Sequence, residues 1–347
     1  MRYPHFLPDG GTIGFVAPSF GAYIEPYHTC FLRSLEVFQE MDYRVELGPN
    51  VFKGDGIGIS TDPRDCGKEL TESYADQKSD ILISVGGGEL MCETMSHVDL
   101  QEIAAAEPKW YLGYSDNTNF GFLLATMFDT ASVYGPCASD FSMDPWHASL
   151  HDCMGILTGK SMTEDGKLVV HGYEKWEKDE IRDEDRPFAP YNCTEETAVT
   201  CRNWDGTPVS SRFVGGCLDI LVNLCGTRFD HVKEFAEKYK EDGIIWFLEA
   251  CDLEPFSIRR ALWELKEAGW FRYAKGFLIG RPLHYEDVQM GLDRFGAVMG
   301  ILDEFDVPVV MDCDLGHLPP MMPMINGGYG TLMPYGEKNV QVLFELK

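Results

Sequence analysis

The chain is short of positive charge: 29 lysines and arginines stand against 56 aspartates and glutamates, a formal net charge of −27. A field of that sign repels phosphate backbones and anionic lipid, so neither a nucleic-acid polymer nor a membrane surface is expected as a partner. No apolar run is long enough to span a bilayer. The opening Met1-Arg2-Tyr3-Pro4-His5-Phe6 lacks the apolar segment of a signal peptide, and a soluble, cytoplasmic protein is expected. The eleven cysteines include no C-x-x-C pair, which argues against a zinc or redox site. Cys92, Cys225 and Cys251 sit among apolar residues and read as small buried hydrophobes in a reducing compartment. Internal repeats and low-complexity tracts are also missing.

What is present is an ordinary globular composition, 44% hydrophobic over 347 residues, long enough for two domains. Short β-rich runs at Thr12 to Ala17, Tyr43 to Leu47, Ile81 to Val85 and Lys109 to Gly113 alternate with helical periodicity over residues 27–40, 62–77 and 117–128. That alternation predicts an α/β fold with a parallel sheet covered by helices. Ligands of such sheets sit beyond the carboxyl ends of the strands, where Gly86-Gly87-Gly88 and Ser115 fall. The crowded charges of Tyr173 to Asn192, followed by Pro187 and Pro190, read as a solvated linker or loop, with the domain boundary just before it. The expected domains are residues 1–165 and 166–347. In the second, a turn and helix are expected over Gly215 to Leu224, strands at Gly243 to Leu248, Phe277 to Gly280 and Val307 to Met311, and an edge strand at Asn339 to Leu346.

Ser115, in Tyr111-Leu112-Gly113-Tyr114-Ser115-Asp116-Asn117-Thr118, lies between a strand and a helix start. On such a turn the hydroxyl is exposed beside helix N-terminal amides, as acyl-transfer chemistry requires. A base and an orienting acid must come from elsewhere. Of nine histidines, His317 stands out in the rigid turn Leu315-Gly316-His317-Leu318-Pro319-Pro320 after a strand. Glu249 closes the apolar strand Ile244-Ile245-Trp246-Phe247-Leu248 and needs a partner if buried. A histidine and an ion pair with Arg259 or Arg260 are equally open readings.

Together, Gly113-Tyr114-Ser115-Asp116-Asn117-Thr118, Phe247-Leu248-Glu249 and Gly316-His317 with its prolines resemble the LD-carboxypeptidase family of serine peptidases, which includes the microcin C self-immunity peptidases. Gly14 to Ser19, Gly86 to Gly88, Gly215-Gly216, Leu224 to Thr227 and Ile279-Gly280-Arg281 extend the likeness over nearly the whole chain. The resemblance implies a Rossmann-like N-terminal domain and a smaller β-rich C-terminal one, with the active site in the cleft between them. It implies Ser115 as nucleophile, His317 as general base and Glu249 as the acid orienting it. The oxyanion hole would be the backbone amides of Asp116 and Gly88. A homodimer and no metal or cofactor are further implications.

Three departures bear on the substrate: Cys217 stands where the family usually has asparagine, Asp219 where a small polar residue is common, and Val85 where an arginine often precedes the glycines. Relatives cleave either a murein tetrapeptide, releasing D-alanine, or an amide of an aminoacyl-nucleotide analogue. Gly87, Trp176, Trp204 and the Cys217 loop are the expected substrate contacts. An exposed indole in the charged segment would stack on a purine for about 1–3 kcal/mol; packing at the domain junction is the bland alternative. Chain length and that loop favour the nucleotide-type substrate slightly.

Other readings compete. Asp312, Asp314 and His317 share a turn that would suit a divalent ion, although close acidic residues are more often solvated or capping. The triple glycine lacks the spacing and lysine of a phosphate loop. Cys217 or Cys251 as a nucleophile would suggest an amidotransferase-like site. A catalytically inactive binding protein on the same scaffold is the non-enzymatic alternative.

Overall fold

The computed structural model describes residues 1–347. Its first strands are β1 (Thr12–Val16), β2 (Arg44–Leu47), β3 (Ile81–Ser84), β4 (Trp110–Gly113) and β5 (Ser132–Tyr134). There follow β6 (Leu168–His171), β7 (Lys175–Glu177), β8 (Cys193–Glu196), β9 (Thr200–Arg202), β10 (Val209–Cys217) and β11 (Ile244–Glu249). The last are β12 (Ala274–Gly280), β13 (Val309–Cys313), β14 (Met324–Asn326), β15 (Tyr329–Tyr335) and β16 (Asn339–Glu345). The first sheet runs β14-β5-β4-β3-β1-β2, with β14 antiparallel to β5 and the rest parallel. The second runs β6-β16-β15-β10-β11-β12-β13-β9.

The parallel strands β3, β4 and β11 are buried on both faces, as their unbroken apolar runs require, whereas the edge strand β2 is largely exposed. Successive residues feed opposite sides. Ile81, Ile83, Ile245 and Phe247 join one hydrophobic cluster; Leu82, Ile244, Trp246 and Leu248 join the other. Each cluster therefore draws on both sheets. Covering helices carry the matching stripe: helix Tyr27–Glu40 buries Cys30, Phe31, Ser34, Leu35 and Phe38 at three- and four-residue spacing. Helix Pro63–Ala75 starts where the Asp62 side chain accepts from the Arg64 amide and proline occupies the first turn.

The second sheet is mixed. Its core β10–β13 is parallel and flanked by helices Leu218–Leu224 and Pro255–Glu267, so this half is also α/β, while β15, β16, β6 and β9 add the antiparallel part. Three expectations are corrected. Gly215-Gly216 is not a turn but the end of β10. The Asn339–Glu345 strand lies between β15 and β6 rather than at an edge, because the short strand Leu168–His171 covers its outer side. The charged segment after Tyr173 is an irregular surface loop over most of its length, but its start is not solvated, for β7 pairs with β8 and buries Trp176 and Glu177.

No helix is long and apolar enough to cross a membrane. The chain also crosses between sheets: β14 returns to the first sheet, and its Asn326 Oδ1 accepts from the Gly215 amide of β10 at 2.9 Å.

Candidate active site

Ser115 follows β4 directly, in a single 3-10 turn, Ser115–Asn117, that leads into helix Thr118–Thr126. Its φ of +60° lies in the left-handed region, a strained conformation for a side chain with a Cβ. The turn is held from several directions. Asn117 Nδ2 donates to the Gly86 carbonyl at 2.9 Å, and Tyr111 Oη donates to Asn117 Oδ1. The Asp116 carboxylate accepts from Ser19 Oγ at 2.5 Å, the Met91 amide at 2.9 Å and Asn119 Nδ2 at 2.9 Å. Burial pushes the Asp116 pKa up to about 6 despite these donors. Asp116 thus ties the serine turn to the loop after β1 and to the helix following the triple glycine.

Gly87 abuts the serine: a Cβ placed there would sit 3.3 Å from Ser115 Cβ. Gly88 is turned toward Ser19 and Phe20 at φ +152°. The Phe20 amide donates to the Gly87 carbonyl, which fixes the turn.

Glu249 ends β11 and is buried, 3% exposed. Neither arginine reaches it. Arg259 binds the Gly296 and Gly300 carbonyls, and Arg260 binds Ser257. Glu249 Oε2 instead meets His317 Nδ1 at 2.9 Å, and its Oε1 accepts from Tyr134 Oη at 2.5 Å. In the neutral imidazole this geometry assigns the proton to Nδ1 and leaves Nε2 as an acceptor. Burial opposes charge on both partners. Their mutual attraction overrides it, holding Glu249 below the usual carboxylate value and His317 well above the usual histidine value.

The His317 loop passes directly over Glu249. Gly316 has φ +97°, and a side chain there would collide with the Glu249 carboxylate, so only glycine serves. Below the loop, Asp314 and Arg281 form a fully buried ion pair, and Arg281 Nη1 donates to the Asp312 carbonyl at 2.9 Å. Asp312 pairs with Arg294 at 2.9 Å. Both aspartates weighed above as metal ligands are therefore engaged by arginines.

Ser115, His317, Gly86, Gly87 and Gly88 line one open cleft of about 540 Å³. The Tyr114 ring lies 5.1 Å from the His317 ring, and the Ser115 hydroxyl makes no hydrogen bond to the imidazole. Phe20, Tyr27, Arg182 and Tyr191 also line the cleft. Arg182, in the segment expected to be solvated, pairs with Asp140 at 3.3 Å.

The expected substrate contacts fare unevenly. Gly87 is in the cleft, whereas Trp176 is not exposed: it packs at 4.9 Å under the Arg281 guanidinium and 5.1 Å from Tyr285. Trp204 donates to the Thr207 carbonyl and packs against the core away from the cleft. Cys217 is buried beneath Glu249, and its amide is held by Thr118 Oγ1 at 3.0 Å. Burial raises the thiol pKa of both Cys217 and Cys251, which keeps them neutral and poor nucleophiles. Asp219 accepts from the Cys251 and Asp252 amides and so steadies the segment after Glu249. Sequence reading missed Tyr134 and Arg182, the first on a three-residue strand too short to show periodicity, the second in a run of charges.

Residues 13–135 match the LD-carboxypeptidase N-terminal domain and residues 210–332 the LD-carboxypeptidase C-terminal domain. The chain belongs to the LD-carboxypeptidase family. The chain is 25% identical over 336 residues to the "Probable murein peptide carboxypeptidase" of Bacillus subtilis strain 168, covering 95% of this chain and 91% of that protein. Among solved structures it is similar to microcin C7 self immunity protein MccF (TM-score 0.80, 20% identity, 98% of this chain and 97% of the other). An MccF-like protein from Bacillus anthracis strain Ames gives a TM-score of 0.79 at 20% identity, over 99% of this chain and 100% of that one. These structural likenesses establish the two-domain α/β fold. A mutant of MccF has been solved with adenosine monophosphate, and MccF with aspartyl sulfamoyl adenosine. Family membership makes this chain a peptidase-type hydrolase.

Proposed function

We propose that the protein is a serine carboxypeptidase that hydrolyses an amide near the end of a short peptide, with Ser115, His317 and Glu249 as its catalytic triad. The observation that carries this reading is the 2.9 Å hydrogen bond between His317 Nδ1 and Glu249, facing Ser115 in one cleft. His317 Nε2 takes the Ser115 proton as Oγ attacks the scissile carbonyl. The oxyanion is received by the amides of Asp116 and Gly88, with Gly87 leaving room beside the serine. His317 then protonates the departing amine, and a water activated by the same imidazole hydrolyses the acyl-enzyme. Residues 1–165 contribute the nucleophile and residues 166–347 the acid and base.

The charges of the cleft support a peptide substrate. Glu89, Asp140, Glu177 and Glu180 outnumber Lys178 and Arg182 along its walls, which disfavours a phosphate-bearing ligand. The likeness to the Bacillus subtilis protein points the same way. An amide of an aminoacyl nucleotide is the second reading, supported by the Phe20, Tyr27 and Tyr191 rings in the cleft and by the ligands of MccF. The two tryptophans no longer support it.

Purified protein is offered an L,D-linked murein tetrapeptide and an aminoacyl sulfamoyl adenosine in parallel, with Ser115→Ala as control and products read by mass spectrometry. Release of terminal D-alanine alone is expected. Cleavage of the adenosine analogue alone moves the assignment to the second reading, and a Ser115→Ala variant at wild-type rate overturns the triad.

A further inference from the structure

We infer that the Tyr134 hydroxyl is a positioning group that sets the catalytic acid on one sheet in register with the nucleophile turn on the other. Tyr134 is the last residue of β5 in the first sheet, and Glu249 is the last residue of β11 in the second. Tyr134 Oη donates to Glu249 Oε1 at 2.5 Å. The same oxygen accepts the Ser115 backbone N–H at 3.3 Å. Because an N–H can only donate, the phenol's own hydrogen is committed to the carboxylate. The result is a relay of fixed polarity: Ser115 N–H to Tyr134 O–H to Glu249, with His317 on the second carboxylate oxygen.

Both ends of this relay need holding. Ser115 has the left-handed φ of +60°, and the phenol receives its amide within that strained turn. Glu249 carries charge in a buried site, where a carboxylate with only one partner is costly. The ring itself is fixed by packing, 5.7 Å from Phe247 and 6.4 Å from Tyr114. Tyr134 touches neither substrate nor reacting atoms. Its effect on the base is exerted through Glu249, and this inference rests on the triad reading above.

The other groups facing the pair are Cys217 at the end of β10, Cys251 after β11, and Tyr114 against the imidazole, with Asp219 behind the two cysteines. Of these, both thiols are neutral, so the Tyr134 hydroxyl is the donor whose loss most increases the negative charge Glu249 directs at His317. Deleting it stabilises the imidazolium and moves the pH at which His317 becomes a competent base upward.

The test is Tyr134→Phe in the full-length protein, with kcat and KM measured from pH 5 to 10 on whichever substrate the wild type cleaves. Expected are a fall in kcat of about tenfold or more with KM little changed, and an acid limb displaced to higher pH. A merely structural role lowers activity in proportion to the folded fraction, read by thermal unfolding, and leaves the limb where it was; that outcome overturns the proposal. As a second readout, the same change is made in a Glu249→Ala background. If Tyr134 acts on the base through Glu249, the displacement of the acid limb vanishes there; an undiminished displacement overturns the proposal even if both variants are destabilised. Ser115→Ala at wild-type rate would remove the triad itself. An inactive Ser115→Ala beside an unaffected Tyr134→Phe removes only this inference.

Discussion

The two sides of the cleft are built by different means. The serine side is a product of backbone geometry: a strand, one 3-10 turn and a buried helix leave Ser115 no freedom, and neutral or singly charged side chains tie the turn down. The histidine side is a loop without regular structure, fixed by ion pairs between Arg281 and Asp314, Arg294 and Asp312, and His317 and Glu249. A nucleophile needs a direction, which backbone supplies. A base also needs a tuned proton affinity, and that comes from charges.

The largest expected effect breaks the serine side alone. Ser115→Ala should lower kcat by roughly four orders of magnitude or more while leaving the unfolding transition in place, since the fold holds the turn without the hydroxyl. Steady-state kinetics beside a thermal melt checks it. On the other side, Arg281→Met should damage stability and activity together. It leaves Asp314 charged and buried, for a loss of roughly 3–5 kcal/mol, and frees the loop that carries His317. Denaturant unfolding that finds a change below about 1 kcal/mol would show the loop is held some other way.

The comparison sharpens with pH. As the proposed base His317 must be neutral, and its raised pKa means that kcat/KM should still be climbing above pH 6.5. Stability should run the opposite way. Buried Asp116 and Glu69 keep their protons up to about 6 and about 7, against 3.8 and 4.5 for the free side chains. Between those limits the folded state holds protons the unfolded state has released, so stability falls as pH rises. Thermal midpoints at pH 5.5 and 8 measure this, and Glu69→Gln should flatten the difference. The smallest expected effect is Trp204→Phe, which should change kcat/KM by less than about twofold because the indole lies outside the cleft.

Much of this was legible in the sequence. The periodicity around Phe31, Leu35 and Phe38 and the apolar runs of β1, β3 and β11 locate the helices and parallel strands, since burial on one stripe or two faces leaves a direct imprint. Ser115, Glu249 and His317 could be singled out because each lies at or beyond the end of an apolar strand-like run. What stayed hidden depends on contacts distant in sequence. Trp176 gives no sign that Arg281, over a hundred residues later, stacks on it. Gly215-Gly216 looks like a turn, yet glycine is needed there because a side chain at 216 would strike Thr118. Tyr134 is silent for the same reason: its two partners lie in other parts of the chain.

The return of residues 324–326 to the first sheet has a consequence for biosynthesis. β14 pairs only with β5, and the segment before it carries His317. That pairing joins segments far apart in sequence, the kind of contact whose closure slows folding. On the proposed triad, a growing polypeptide is hydrolytically inert until its final strands dock, and a product ending before residue 317 displays Ser115 without the base assigned to it.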